Sequence, residues 1–417
     1  MKTCKIKDLI IEERSGEYGL SLSAKPYNND IRYLRITDID DDGNLLYDDL
    51  KSVESKNIDE YLLKENELVV ARTGNSTGRT FMYTKGDGKL AYAGYLIKYV
   101  FDPEKINPRY MKYYCLTQPY KDQIRGYVGS TRGNMNANDF KKIKVFYPER
   151  SAQDKIVSFM DLIDLKIKNN KKAISILSDA IRKLYNRWFI QYNFSDSKGK
   201  PYKENGGKMV WNDVLKMEIP AAFDVKQISD IGQIEGGGTP RTSCSEYYCK
   251  NGIGWITPDD LSRTNDIFIS HGLRDITELG LKKSSAKLLP KGTVLLTSRA
   301  PIGYIGIASN EVSTNQGFKS VIPNSNIGSY FVYYTLLSLV PKLKMIGQKT
   351  TFQEISKTDL ERVKVVVPND KLISTFNKTV STMFDTIYQC ETENNKLKQL
   401  RDFLLPLMIS GQVQFRA

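Results

Sequence analysis

Two arginines stand directly after short apolar runs, inside turns kinked by glycine or proline. They are Arg72 in "VVARTGNSTGRT" (69–80) and Arg299 in "LLTSRAPIGY" (295–304). A guanidinium presents a planar fork of N–H donors that fits the edge of guanine; Asn and Gln amides fit adenine, and Ser and Thr hydroxyls take phosphate oxygens. Groups of these types gather in five loops, and these are the candidate DNA-binding residues. In the first half of the chain they are Arg72, Thr73, Asn75, Ser76 and Arg79 in one loop, and Ser130, Thr131, Arg132 and Asn134 in another. In the second half they are Arg241 and Thr242 in "GGGTPRTS", Ser298 and Arg299 in "TSRAP", and Gln348, Lys349 and Thr350 in "GQKTTFQE". Ser, Gly, Asn and Thr are also what any solvent loop contains; recurrence at corresponding points of two halves is what singles these loops out.

Groups that would make or break bonds are scarce. His271 is the single histidine, so a histidine-based triad or a multi-histidine metal site cannot be assembled. Cys244 and Cys249 lack the Cys-x-x-Cys spacing of structural zinc sites. The run Gly236-Gly237-Gly238 leads into Thr239-Pro240 and not into a helix start, which argues against a phosphate-cradling loop. No catalytic residue, metal or bound cofactor is expected. The chain carries 61 Lys and Arg against 48 Asp and Glu, a net charge of +13, and so favours a polyanionic partner. Scattered cysteines, no run of 18 apolar residues and no apolar leader predict a cytoplasmic protein away from membranes.

The elements that must position these loops occur twice. "PRYMKYY" (108–114) matches "GSYFVYY" (328–334), and "NDFKKIKVFYP" (138–148) matches "TDLERVKVVVP" (358–368), each 220 positions on. Ile36-Thr37 and Ile256-Thr257 keep the same offset, so the chain reads as a duplicated unit. Runs such as "ELVVA", "YLIKYV", "TVLLT" and "KVVVP" between turn residues read as strands. The tyrosine pairs Tyr113-Tyr114 and Tyr333-Tyr334 sit on amphipathic helices and belong in the core. After each closing proline the period becomes helical. Ile156, Met160, Ile163, Ile167, Asn170, Ile174, Leu177, Ile181, Leu184 and Trp188 form one heptad seam, with Lys166, Lys168, Lys171 and Lys172 on its solvated side. Ile373, Phe376, Val380, Met383, Ile387, Cys390, Asn394 and Leu397 form another, which slips to Leu400 and Leu404. Each holds an asparagine near its middle, a way to fix register, and the two helices are expected to pair antiparallel. A helix of some 35 residues would be about 50 Å long, a spacer.

"GGGTPRTSCSEYYCKNGIGWITPDDL", "LLTSRAPIGYIGIA" and "STNQGFKSVIP", with the helix ends "LYNRWFIQYNF" and "LRDFLLPLMISGQV", resemble the specificity subunits of Type I restriction-modification systems. The first half matches more loosely, since "GEYGLSLSAKPY" replaces the Gly-Gly-Thr-Pro opening. The resemblance implies an α+β fold of two tandem target recognition domains, each a mixed sheet with small helices, separated by two long antiparallel helices. The expected boundaries are 1–150 and 195–368 for the recognition domains, the latter with its linker, and 151–194 and 369–417 for the helices. It also implies a non-catalytic subunit that reads a bipartite, asymmetric site on double-stranded DNA. Two modification subunits would carry S-adenosylmethionine, and restriction subunits would carry ATP and magnesium. Modification subunits would cover apolar helix ends around Trp188, Phe189, Leu404 and Leu405. The competing reading is a stand-alone repeat or regulatory DNA binder with the same fold.

Overall fold

The computed structural model describes residues 2–47, 49–128, 133–195, 199–348 and 353–413. The chain forms two compact units, one of residues 1–168 and 395–417, the other of residues 169–394.

In the first unit an antiparallel sheet runs in the order Glu17–Tyr18, Leu96–Val100, Glu67–Ala71, Thr80–Met82. The two central strands are buried along their whole length, which is why "ELVVA" and "LIKYV" are nearly continuous in apolar residues. Their two charged members are neutralised at the sheet margin, Lys98 by Glu17 at 2.7 Å and Glu67 by Arg14 at 3.1 Å. Helices Pro108–Tyr114, Gln118–Val128 and Ala137–Lys141 follow, and their apolar faces share one core with Ile97, Tyr99 and Leu68 of the sheet. Asn107 and Asn136 cap two of these helices by accepting the Arg109 and Asp139 amides.

The second unit repeats the plan. Gly232–Gly236, Lys319–Pro323, Val294–Leu296 and Ile305–Ala308 stand in the same order as the four strands above, with Phe268–Ile269 added at the edge. A short parallel pair accompanies each sheet: Arg32–Leu34 with Leu90–Tyr92, and Ile253–Ile256 with Val312–Thr314. The antiparallel pairs Lys2–Lys5 with Lys144–Tyr147 and Asp224–Gln227 with Lys364–Val367 bring the start of each module beside the strand that leads into a long helix. Tyr113, Tyr114, Tyr333 and Tyr334 are buried, as their helical spacing predicted.

The long helices are Arg150–Tyr185 and Asp370–Ile409. In the first unit Ile156, Met160, Ile163 and Ile167 share a core with Leu405, Met408 and Ile409; in the second, Ile181 and Tyr185 share one with Phe376, Val380 and Ile387. Within the second unit Asn170 lies beside Asn394 while Tyr185 meets the Phe376 ring at 5.9 Å, so the helices there run antiparallel. The Asn170 amide donates to Asn394 Oδ1 at 3.0 Å and to Glu393 Oε2 at 2.7 Å, a buried polar layer in the seam.

Two expectations need correction. The second seam slips one position further than its apolar pattern suggests: Leu400 is 42% exposed, and the buried residue is Arg401, at 3%. Its guanidinium reaches Asp42 at 2.6 Å and Asp402 at 2.9 Å, so a charge fills a core position because two carboxylates meet it there. Of the four residues at the apolar helix ends, Phe189 and Leu405 are buried within their own units against aromatic or aliphatic neighbours and need no partner to cover them, while Trp188 and Leu404 are half-buried.

Candidate nucleic-acid interface

Strand Glu67–Ala71 ends at Arg72, and the chain returns to strand Thr80–Met82 through a loop closed by two backbone bonds, Ala71 N–H to Arg79 O and Gly78 N–H to Ala71 O, both 2.8 Å. Gly78 holds φ +84°, and a Cβ there would lie 2.5 Å from Ile124, so the turn requires glycine on two counts. The loop is tied to residues 133–135 of the neighbouring loop. Met135 N–H donates to Arg72 O at 2.8 Å, Thr77 Oγ1–H to Gly133 O at 2.6 Å, and Thr73 Oγ1–H to Asn134 Oδ1.

The candidates therefore take different parts. Arg72, Thr73 and Asn134 come together at one end of the sheet, with Asn75 exposed on the loop beside them. Arg79 turns away: its Nε lies 2.6 Å from Asp41 Oδ1, although the N–H is not aimed at that oxygen, and its Nη1 donates to Ile39 O at 3.3 Å. Ser76 is buried and accepts from Arg79 at 3.3 Å, so it shapes the loop and offers nothing to a ligand. Ser130, Thr131 and Arg132 lie outside the described residues.

In the second unit the corresponding end of the sheet gathers three segments around residues 314–317. Gly238 N–H donates to Thr314 O at 2.9 Å, Thr239 Oγ1–H to Gln316 Oε1, and Ser298 N–H to Gly317 O at 2.8 Å. Gly237 and Gly238 are glycines because a Cβ would lie 2.1 Å from Asn315 O and 2.4 Å from Ala286 N. Arg241 and Thr242 follow in an exposed turn, and no described carboxylate pairs with Arg241. Arg299 pairs with Glu354 at 3.4 Å, and Lys319 reaches the same carboxylate at 3.2 Å. Ser298 is 0% exposed, with its hydroxyl 3.2 Å from Gly317 O, and so leaves the set of groups that could touch a ligand. Gln348 is exposed; Lys349 and Thr350 lie outside the described residues.

Three residues of these sites carried no signal strong enough to select them. Tyr18 and Tyr95 flank Arg72, their ring centroids 5.2 and 5.8 Å from its guanidinium carbon. Gln316 is exposed beside Arg299's loop, inside a block whose apolar strand residues dominate the pattern. Among the described residues no group of three or more His, Cys, Asp and Glu could hold a metal, and no helix is long and apolar enough to cross a membrane.

Two modules of one plan, each ending its sheet in a cluster of Arg, Asn, Gln and Thr and each followed in sequence by a long helix, define a tandem-repeat protein. Residues 1–177 and 220–401 match the Type I restriction modification DNA specificity domain, and the chain belongs to that family. It is 41% identical over 182 residues to the Type I restriction enzyme MjaIX specificity subunit of Methanocaldococcus jannaschii, a match that covers 43% of this chain and 42% of that one. The chain thus spans under half the length of that relative. The HindI specificity subunit of Haemophilus influenzae is 21% identical over 347 residues, covering 71% of this chain and 75% of its own. In fold the chain is similar to the crystal structure of the Type I system S subunit from M. genitalium, with a TM-score of 0.57, 16% identity, and coverage of 98% and 95%.

Proposed function

We propose that this chain is the DNA-reading subunit of a Type I restriction-modification assembly, in which each recognition module contacts one half of a bipartite, asymmetric site. The single observation that carries this reading is the pair of loop clusters at the corresponding ends of two equivalent sheets, presented on one backbone plan with different side chains. Repeated scaffolds account for two half-sites, and different side chains account for their unlike sequences. Net charge +13 supplies the sequence-independent attraction to phosphate. The chain's share is positioning. Modification subunits would bring S-adenosylmethionine and extrude the target adenine; restriction subunits would bring ATP and magnesium. The recognition modules would span 1–150 and 195–368, with 151–194 and 369–417 as the spacing helices.

The test is methylome sequencing of a strain that expresses this chain with its methylase, against the same strain without the chain. A bipartite adenine motif that vanishes with the chain is the expected result. An unchanged methylation pattern would remove the specificity role.

A further inference from the structure

Glu17–Tyr18, Leu96–Val100 and Glu67–Ala71 are neighbours in the first unit's sheet, so Tyr18, Tyr95 and Arg72 emerge in a row where the three strands end. The backbone pins the row. Arg72 N–H donates to Tyr95 O at 3.0 Å, and the Tyr18 hydroxyl oxygen accepts the Ala137 N–H at 3.3 Å. Both rings are well exposed, Tyr18 at 43% and Tyr95 at 57%, although large aromatics this close to a core are ordinarily buried. Among the described residues no carboxylate pairs with Arg72, and its Nε is buried without a hydrogen-bond partner. Tyrosine faces hold a guanidinium without spending its donors, so the charge stays whole and the plane is restricted.

We propose that Tyr18, Arg72 and Tyr95 form a guanine-reading element. Arg72 would donate from its outer edge to O6 and N7 of one guanine in the major groove, and the two tyrosines are positioning residues that set the plane of the fork. This rests on the DNA-reading function proposed above and deepens it. A phosphate would serve less well as the occupant. Phosphate can be met by Lys, hydroxyls and backbone amides as well as by Arg, whereas a bidentate contact to a guanine edge needs one planar fork held in place.

The experiment uses the full chain co-purified with its methylase subunits and titrated with fluorescent duplexes at fixed salt. The duplexes carry the methylome-defined site, the same site with each G·C pair exchanged in turn, and an unrelated sequence. Wild type, Arg72→Lys and the Tyr18→Leu/Tyr95→Leu pair are compared, each with its melting temperature recorded. Arg72→Lys keeps the charge and most of the stem, so it tests the fork with little risk to folding. It is expected to lose about tenfold or more of the preference at one G·C pair, while binding to the unrelated duplex stays within about threefold. The tyrosine pair should weaken the same preference at the same base pair. If Arg72→Lys keeps every preference, or lowers affinity for all duplexes alike, the guanine assignment is overturned, the second outcome marking a phosphate contact. If wild type itself shows no preference among duplexes, the DNA-reading function falls, and this element with it.

Discussion

At equivalent points the two units make the same backbone bonds around different side chains. In the first, Arg72 N–H donates to Tyr95 O and Arg72 O accepts from Met135; in the second, Ser298 N–H donates to Gly317 O and Ser298 O accepts from Ile355 at 3.0 Å. The structural counterpart of Arg72 is therefore Ser298, and Arg299 stands one position later. In extended chain a shift of one residue turns a side chain to the opposite side. Arg72 lies between two tyrosine rings with its charge unpaired, and Arg299 meets Glu354, which it shares with Lys319. The skeleton is held constant and the presented chemistry differs, which is what the proposed reading of two unlike half-sites calls for. The modules are also fastened differently to the last long helix. Arg401 meets the Asp42 carboxylate in the first unit, and in the second Glu391 accepts the amides of Ile267 at 2.7 Å and Phe268 at 3.0 Å.

The largest effect should come from breaking the first of these fastenings. Arg401 is buried, and Asp42 follows Asp41, the partner of Arg79 in the candidate loop. Arg401→Ala should cost the first unit about 3 kcal/mol, the low end for removing one partner of a buried ion pair, because Asp42 and Asp402 are open enough to recover some water. Hydrogen exchange should accelerate through 38–46 and the sheet beside it, with the second unit's sheet unaffected. Equal acceleration in both units would show that Arg401 does not serve one module.

Glu391→Leu strips the Ile267 and Phe268 amides of their acceptor and should cost the second unit about 1 to 3 kcal/mol. Burial pushes the Glu391 carboxyl up to about 8, against the lowering pull of the Ile267 and Phe268 amides. Because the folded value exceeds the ordinary carboxyl value of 4.5, the native state binds more protons than the unfolded state between the two. Its contribution is thus full below about pH 4.5 and is lost as pH rises toward 8, a few kcal/mol at most. Denaturant melts of wild type should show that slope in the second unit, and Glu391→Gln should flatten it. A wild-type slope that survives in Glu391→Gln would assign the titration to another group.

The duplication, the strands and the long helices were legible because each leaves a period or an offset in the sequence, and burial enforces that period. Asn170 and Asn394 were legible as interruptions of such a pattern. The candidate sites were legible only as loops. Nothing in "TSRAP" distinguishes an exposed Ser298 from a buried one; that is decided by Gly317 and Ile355, 19 and 57 positions downstream. Tyr18 and Tyr95 were hidden for the same reason, since only strand pairing places them beside Arg72. Arg401 was misread because apolar patterning cannot anticipate a charge that finds two carboxylates in the core.

Asn170→Leu should cost about 1 to 3 kcal/mol, the range for leaving a buried amide without its partner. Replacing Asn394 by Leu as well should recover most of that loss, since an apolar pair satisfies the seam. A double-mutant cycle by urea denaturation measures the coupling. Additive losses would mean that the two amides do not act as a layer. Recovery without a change in DNA spacer preference would mean that the layer does not set register.

The smallest expected effect separates the two arginines most directly. Glu354 is shared by Arg299 and Lys319, two cations against one carboxylate, while no described carboxylate restrains Arg72. Glu354→Gln removes that restraint in the second unit alone. Because these pairs are partly exposed, the gain in DNA affinity should stay below about 1 kcal/mol at low salt and shrink as salt is added. The slope of log affinity against log salt should steepen, as expected when added positive charge displaces more counterions. If affinity falls and selectivity for one half-site falls with it, Glu354 orients Arg299 toward a base, and both units would then prearrange an arginine, one with aromatic faces and the other with a carboxylate.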